Sequence, residues 1–268
     1  MSSTPRFFVP PAAIRGDTAT LPPEAAHHIR NVLRMEAGQS IVLHDGLGFA
    51  YSGTLTEVAG KAAVVAAITD RTPVAAEPTT RITVAQALPK TSDKIEQVLQ
   101  HGTEVGAAGF LFFAGRRSVA RLAEGEKIDK RLARWRGIVL GAAEQSGRGI
   151  LPTVEWAGLT PDLVRRLGDF DHVLVLHEAA TFPLADALRQ VAVTAIRLLI
   201  VVGPEGGLDD QSEVPLLVGA GGVPLTLGPR ILRTETAALV ALAQILFARE
   251  MMAAGGVTVS HAVDVTAV

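Results

Sequence analysis

The sequence predicts an α/β fold: a parallel sheet with helices packed on it, preceded by a smaller β-rich module. Three observations predict it. After residue 78, apolar strand-like runs alternate with segments whose apolar residues recur at helical spacing, as in a parallel sheet covered by helices. Before residue 73, three short strand-like runs follow one another closely with turn signals between them, as in a small barrel. Between the two lies Arg71-Thr72-Pro73-Val74-Ala75-Ala76-Glu77-Pro78, with two prolines and no periodicity, which reads as a linker. The chain therefore divides into residues 1–73, residues 77–252 and a tail, 253–268.

Composition supports folded domains. The 268 residues suit one large or two ordinary domains, and 48% hydrophobic against 19% charged residues leaves no case for disorder. The first dozen residues hold Arg6 and several prolines but no apolar run of a secretory signal. The longest apolar helical segment, 237–248, is too short to span a bilayer. There is no cysteine, which excludes disulfides, thiolate catalysis and Cys-ligated zinc and agrees with a cytoplasmic location. His27-His28 is an adjacent pair without helical ligand spacing, so no metal site is expected. Net charge is −2, but residues 1–134 carry 16 Lys+Arg against 13 Asp+Glu and residues 135–268 carry 9 against 14. Basic residues cluster at Arg116, Arg117 and Arg121, and again at Lys127, Lys130, Arg131, Arg134 and Arg136. The second cluster fits a solvated helix face as well as an RNA footprint.

The elements follow in order. His27-His28-Ile29-Arg30-Asn31-Val32-Leu33-Arg34 has apolar positions at 29, 32 and 33 and reads as a short amphipathic helix. Arg30 and Arg34, four apart, would share one face and could grip a phosphate together, or simply be solvated. Strands are expected over Ser40–His44, 51–57 and 62–69, with Asp45-Gly46 a strong turn and Ala59-Gly60-Lys61 a weaker one. Beyond the linker, Arg81–Ala87 and Gly109–Ala114 read as strands. Asp93 with Glu96 resembles a capping arrangement, and Ile95, Val98, Leu99 and Val105 mark the face of the helix that follows. Ile128, Leu132, Trp135, Ile138, Val139 and Ala142 recur at helical spacing, which assigns Trp135 to the core. Gln145-Ser146-Gly147-Arg148-Gly149 follows that helix, and Gly147 suits its C-terminal cap. His172–Leu176, 198–202 and 223–227 complete the sheet, with helices over 209–219 and 234–250.

The last two strands carry the chemistry. Each ends in a Gly-Pro pair: the first opens into Gly203-Pro204-Glu205-Gly206-Gly207, the second into Gly228-Pro229-Arg230-Ile231-Leu232-Arg233-Thr234-Glu235-Thr236. Ligands of open parallel sheets sit beyond the carboxyl ends of the strands, so two such turns outline one pocket. Glycine lets backbone approach a ligand closely, and proline fixes the loop. A phosphate site would add Lys and an unbroken set of N–H donors. Here Pro204 lacks an N–H and Glu205 would repel an anion, so the loop suits a neutral or cationic group.

The pairing of that first loop with Leu227-Gly228-Pro229-Arg230-Ile231-Leu232-Arg233-Thr234-Glu235-Thr236 resembles the cofactor-binding knot of the SPOUT methyltransferases. More closely, it resembles the family that methylates N3 of a uridine in small-subunit (16S) ribosomal RNA. Asn31-Val32-Leu33-Arg34-Met35, Gln86-Ala87-Leu88-Pro89-Lys90, Thr103-Glu104-Val105-Gly106 and Ala143-Glu144-Gln145-Ser146-Gly147-Arg148 extend the likeness over almost the whole chain.

The resemblance implies a SPOUT-type parallel sheet with a trefoil knot over 77–252 and a PUA-like RNA-binding β-barrel over 1–73. It implies S-adenosyl-L-methionine as cofactor, its adenine held by backbone around Leu176, Val202, Gly203 and Leu227. His177, Glu178, Pro204, Glu205, Gly206, Gly207, Gly228, Ile231, Leu232, Arg233 and Thr236 would surround the rest. It implies ribosomal RNA as partner, with Arg148 on the substrate side beside Arg30 and Arg34, and a homodimer as the assembly. Arg233 would stabilise charge developing on the uracil, the alternative being a salt bridge with Glu235 or Glu205, and the proton would go to a base, for which Glu205 and Glu235 are candidates, or to water. Two other classes remain open at this point. A Rossmann-type oxidoreductase would need G-x-G-x-x-G after an early strand, which is missing; a non-catalytic RNA-binding protein would need no paired Gly-Pro loops.

Overall fold

A computed structural model describes residues 4–58, 63–75, 77–119, 126–191 and 196–253. The expected turn at Ala59-Gly60-Lys61, Arg121 and residues 254–268 of the tail lie outside the described residues.

The first sheet holds six strands: β1 (Arg6–Phe8), β2 (Ile14–Arg15), β3 (Thr18–Thr20), β4 (Ser40–His44), β5 (Phe49–Glu57) and β6 (Val65–Pro73). Their spatial order is β1-β4-β5-β6-β3-β2. All pairs are antiparallel except β1 with β4. Phe7, Ile29, Ile41, Leu43 and Leu55 fill its core. The β4–β5 turn is built by Asp45, whose Oδ1 accepts the N–H groups of Leu47 at 2.8 Å and Phe49 at 3.1 Å. β6 runs on to Pro73, so Arg71, Thr72 and Pro73 are ladder residues and not linker.

The expected amphipathic helix differs most from its reading. Helix α1 (Pro23–His27) passes into a π-helical turn, His28–Val32, and the chain leaves it at Leu33. Of the expected apolar positions 29, 32 and 33 only Ile29 is buried; Val32 is 64% and Leu33 42% exposed. Arg34 has a φ of 52°, in the left-handed region. It therefore lies beyond the helical segment that holds Arg30, and the four-residue spacing does not place them on one helical face.

The second sheet also holds six strands: β7 (Arg81–Ala87), β8 (Gly109–Ala114), β9 (Thr153–Leu159), β10 (His172–Leu176), β11 (Arg197–Val202) and β12 (Gly222–Leu225). All are parallel, in the order β12-β10-β11-β7-β8-β9. Sequence reasoning missed the edge strand β9. The longer helices are α2 (Ser92–Val105), α3 (Glu126–Ser146) and α7 (Thr234–Ala253); α4 (Thr160–Val164), α5 (Leu184–Gln190) and α6 (Glu213–Gly219) are short. Strand residues alternate between two apolar cores. Leu198, Ile200 and Val202 face α2, α3 and α7, while Leu199 and Val201 face Leu163, Leu208 and Leu217. Trp135 packs on Phe112, ring centroids 4.5 Å apart, as the core position expected of it. Among the described residues no helix is long and apolar enough to cross a membrane.

The two sheets meet at the end of α3. Gly147, at φ 73°, ends the helix, and the Arg148 side chain turns inward to 4% exposure. Its Nη1 donates to the carbonyls of Thr103 and Ala107, both at 2.9 Å. Its Nε and Nη2 grip Glu77 at 3.0 and 2.7 Å. Glu77 also accepts the N–H groups of Gly149 at 2.8 Å and Ile150 at 3.0 Å. Four of the five Arg148 N–H donors are thus committed inside the protein, on a side chain too buried to meet a substrate phosphate. Its place on the RNA side, implied by the resemblance, is corrected to a strut between the sheets.

Candidate functional site

A cavity of about 850 Å³ opens beyond the carboxyl ends of β10, β11 and β12. β10 contributes Leu176, His177 and Glu178, and β11 contributes Val202 followed by the loop Gly203 to Gly207. β12 contributes Leu225, with Leu227, Gly228, Ile231, Leu232 and Arg233 after it. Both Gly-Pro turns therefore face one space. Of the residues named for the cofactor, Thr236 alone does not line the cavity; it is exposed on the first turn of α7.

The first loop folds tightly against its own exit. A Cβ on Gly203 would stand 2.8 Å from the backbone nitrogen of Leu208. Gly207 has a φ of 70°, and a Cβ there would meet a Glu178 carboxylate oxygen at 2.7 Å. Gly206 is less constrained, with only Arg117 Cβ at 3.4 Å. Arg117 braces the loop from outside, its Nη1 donating to the carbonyls of Gly206 at 2.9 Å and Leu208 at 3.0 Å. Its Nη2 reaches Asp210 at 3.4 Å, and Asp210 in turn pairs with His177 Nε2 at 2.8 Å. The His177 hydrogen bond, with Arg117 adding to it against a small burial cost, holds the Asp210 carboxyl below its ordinary range.

The two loops are sewn together beneath the cavity. Thr234, the first residue of α7, donates its hydroxyl to Gly203 O at 2.5 Å, and Gln86 at the end of β7 donates to Thr234 Oγ1 at 2.8 Å. Gln86 and Thr234 are both buried, so these bonds are not exchanged for water.

Charge is divided unevenly. Glu178 lines the cavity and has no hydrogen-bond or ion-pair partner among the described residues. Glu205 is engaged: both its oxygens accept the Lys90 N–H at 3.0 Å, and Lys94 Nζ reaches it at 2.8 Å. Burial pushes the Glu205 carboxyl up, but the Lys94 ammonium and the N–H donors outweigh it and hold the group below its ordinary value. Lys94 also lies 3.7 Å from Glu235, which is buried and does not line the cavity. No acid pairs with the exposed guanidinium of Arg233 among the described residues.

Sequence reasoning missed Lys94, Gln86 and Arg117 as site residues. The available signal was topological. β7 pairs directly with β11, so whatever follows β7 borders the same crevice, and Lys94 sits in the first turn of α2 after it. Arg117, read as part of a basic cluster, is instead a brace for loop carbonyls. At the first sheet, Arg34 is exposed, whereas Arg30 donates through Nε to Val58 O at 2.6 Å.

Two family descriptions match the chain: an RNA methyltransferase domain over residues 76–246 and an RNA methyltransferase PUA domain over 21–68. The chain is similar to ribosomal RNA small subunit methyltransferase E of Mycobacterium bovis, 39% identical over 242 residues and 88% of each chain. It is also similar to the protein of that name from Bacillus subtilis, 38% identical over 239 residues, 88% of this chain and 92% of the other. A crystal structure of ribosomal RNA small subunit methyltransferase E from Neisseria gonorrhoeae, bound to S-adenosyl methionine, superposes with a TM-score of 0.81 at 31% identity. The match covers 92% of this chain and 98% of that one.

Proposed function

Given that this chain belongs to the RNA methyltransferase family, alongside relatives named ribosomal RNA small subunit methyltransferase E, we propose that it methylates small-subunit ribosomal RNA from S-adenosylmethionine, at N3 of a uridine. The observation that carries the reading is the single cavity bounded by both Gly-Pro loops, with an unpartnered carboxylate, Glu178, inside it.

The cavity fits this cofactor by the chemistry of its lining. Glu178 and Glu205 disfavour a pyrophosphate, and Lys94 is already paired with Glu205. Backbone at Leu176, Val202, Gly203 and Leu227 lines the cavity and would offer the adenine its polar atoms. Glu178 would accept hydrogen bonds from the cofactor's ammonium or ribose hydroxyls. When bound, the cofactor supplies an electrophilic methyl group on a cationic sulfur.

The chain's own residues do the rest. Uracil N3–H is weakly acidic, so negative charge gathers on the base as N3 becomes nucleophilic. The Arg233 guanidinium, at the cavity and without an acidic partner, stabilises that charge. Glu205 is not the proton acceptor: its oxygens are held by Lys90 and Lys94, and a lowered pKa makes it a weaker base. Glu235 lies outside the cavity lining and Glu178 is assigned to the cofactor, so the proton would pass to water. Positioning of the two reactants supplies much of the rate without a strong base.

The reading extends to the whole chain. The loops would be threaded as a trefoil knot, the PUA-like domain over 1–73 would hold RNA, and 77–252 would carry catalysis in the cytoplasm. A homodimer would cover Phe247 on α7 and Ile231 on the second loop, which are 66% and 90% exposed. The test is a titration with S-adenosylmethionine and with NAD, followed by methylation of undermodified small subunits and mapping of the product by mass spectrometry. Cofactor binding with a single N3-methyluridine is expected. NAD binding alone, or no methyl transfer, would overturn the reading.

A further inference from the structure

We infer that Lys94 is a positioning residue whose ammonium occupies the carboxylates of Glu205 and Glu235 and so keeps the Arg233 guanidinium free for the substrate. The inference rests on the proposed role of Arg233.

Arg233 stands in the second loop, two residues before Glu235, and shares the cavity lining with Glu205. The Arg233 charge is felt at Lys94, the cation that both carboxylates share, and a guanidinium pairs with carboxylates through two parallel hydrogen bonds more readily than an ammonium does. Neither carboxylate pairs with Arg233. Glu205 is 2.8 Å from Lys94 Nζ and Glu235 is 3.7 Å from it. One cation from α2 thus hydrogen-bonds the acid of the first loop and stands at ion-pair distance from the acid of the second. The Glu205 hydrogen bond, with the charges of Glu205 and Glu235, raises the Lys94 pKa against burial and the smaller opposing effect of the Arg233 charge. Glu235 is buried, and its Oε2, which has no hydrogen-bond partner among the described residues, has the Lys94 ammonium 3.7 Å away as its compensating charge; removing Lys94 would take that charge away. Leaving a buried charge uncompensated is costly, so the guanidinium would be drawn onto it.

The test compares Lys94→Met, Lys94→Arg, Arg233→Ala and the triple variant Lys94→Met/Glu205→Gln/Glu235→Gln by kcat, cofactor Kd from calorimetry, and melting temperature. Lys94→Met should lower kcat by roughly tenfold or more while Kd changes little, because only a contact made in the transition state is lost. Lys94→Arg should keep most of the turnover. The triple variant should turn over faster than Lys94→Met, since no acid remains to capture Arg233 and the Glu205→Gln side chain can still accept the Lys90 N–H. A triple variant as slow as Lys94→Met would overturn the inference, by showing that the ammonium itself is needed or that the fold is damaged. Unchanged kcat in Lys94→Met would overturn it also. An Arg233→Ala enzyme as fast as the parent would instead sink the assigned role of Arg233, a distinguishable result.

Discussion

The Arg148 guanidinium and the Glu77 carboxylate form a two-point pair at 3.0 and 2.7 Å, joining the end of α3 to the segment between the sheets. Both are largely buried, with side chains 5% and 12% exposed. All their other side-chain hydrogen bonds run to backbone groups at the junction. Arg148→Ala strands Glu77 without its cation, the situation in which breaking a buried pair costs about 3–5 kcal/mol. Chemical denaturation should register a loss of that order. Lys at 148 should recover only part of it, since an ammonium cannot serve Glu77 and two carbonyls in the same fork geometry. If Arg148→Ala leaves stability intact and only weakens RNA binding, the strut assignment is wrong.

The same pair sets an acid limb. Burial raises the Glu77 carboxyl, but hydrogen bonds from Arg148 and from the Ile150 and Gly149 N–H groups bring it below the ordinary glutamate value. A folded-state pKa below the unfolded one adds stability that is present above the unfolded pKa and lost as pH falls through the folded value. Melting temperature should therefore drop as pH falls below about 4.3, the ordinary glutamate value. Glu77→Gln should melt lower at neutral pH and lose less on acidification. Parallel acid limbs for the two proteins would show that Glu77 does not titrate as described.

How far the sequence revealed this molecule depended on whether a signal was local. β8 and β10 lie inside the sheet with helices on both faces, so they read as unbroken apolar runs and their limits were legible to the residue. β9 is an edge strand, with Glu155 and Trp156 half-exposed and a register shift near Gly158, so its run is broken. β1, β2 and β3 span three, two and three residues, too few for any period to show. The Gly-Pro loops were legible because their chemistry is contiguous. Lys94 meets Glu205 across 111 positions and Arg148 meets Glu77 across 71, and no spacing rule reaches that far. Arg148 was misplaced for a related reason: an arginine after a helix-ending glycine looks the same in sequence whether it turns outward or in.

Gly207 is the more demanding of the two adjacent loop glycines. Its φ of 70° is strained for any side chain, and an added Cβ would strike the Glu178 carboxylate. Gly207→Ala should cost about 1 kcal/mol in stability from the backbone alone. By displacing Glu178 it should also weaken S-adenosylmethionine binding by on the order of tenfold, as loss of one charged hydrogen-bonding partner does. Gly206→Ala meets only Arg117 Cβ at 3.4 Å and should bind nearly as well as the parent. Calorimetry on both variants decides it. Equal losses would mean that the loop responds to substitution in general and that Glu178 is not the contact.

Arg34 and Arg30 should separate in their response to salt. Arg34 is exposed at the end of a surface run with Asn31, Val32 and Leu33, and its left-handed φ of 52° marks where the chain leaves the π-helical turn. If that run faces RNA, Arg34→Ala removes a phosphate contact and makes the logarithmic salt dependence of binding shallower by about 0.7 to 0.9. Arg30 is tied through Nε to Val58 O, so Arg30→Ala loosens the turn instead. It should weaken binding with less change in slope and lower the melting temperature, which Arg34→Ala should not. Cofactor affinity should be unchanged in both, because neither residue lines the cavity. Binding isotherms over a range of salt concentrations give the slopes directly. A slope that is unaltered in Arg34→Ala would move the RNA contact off this run and onto another face of the first sheet.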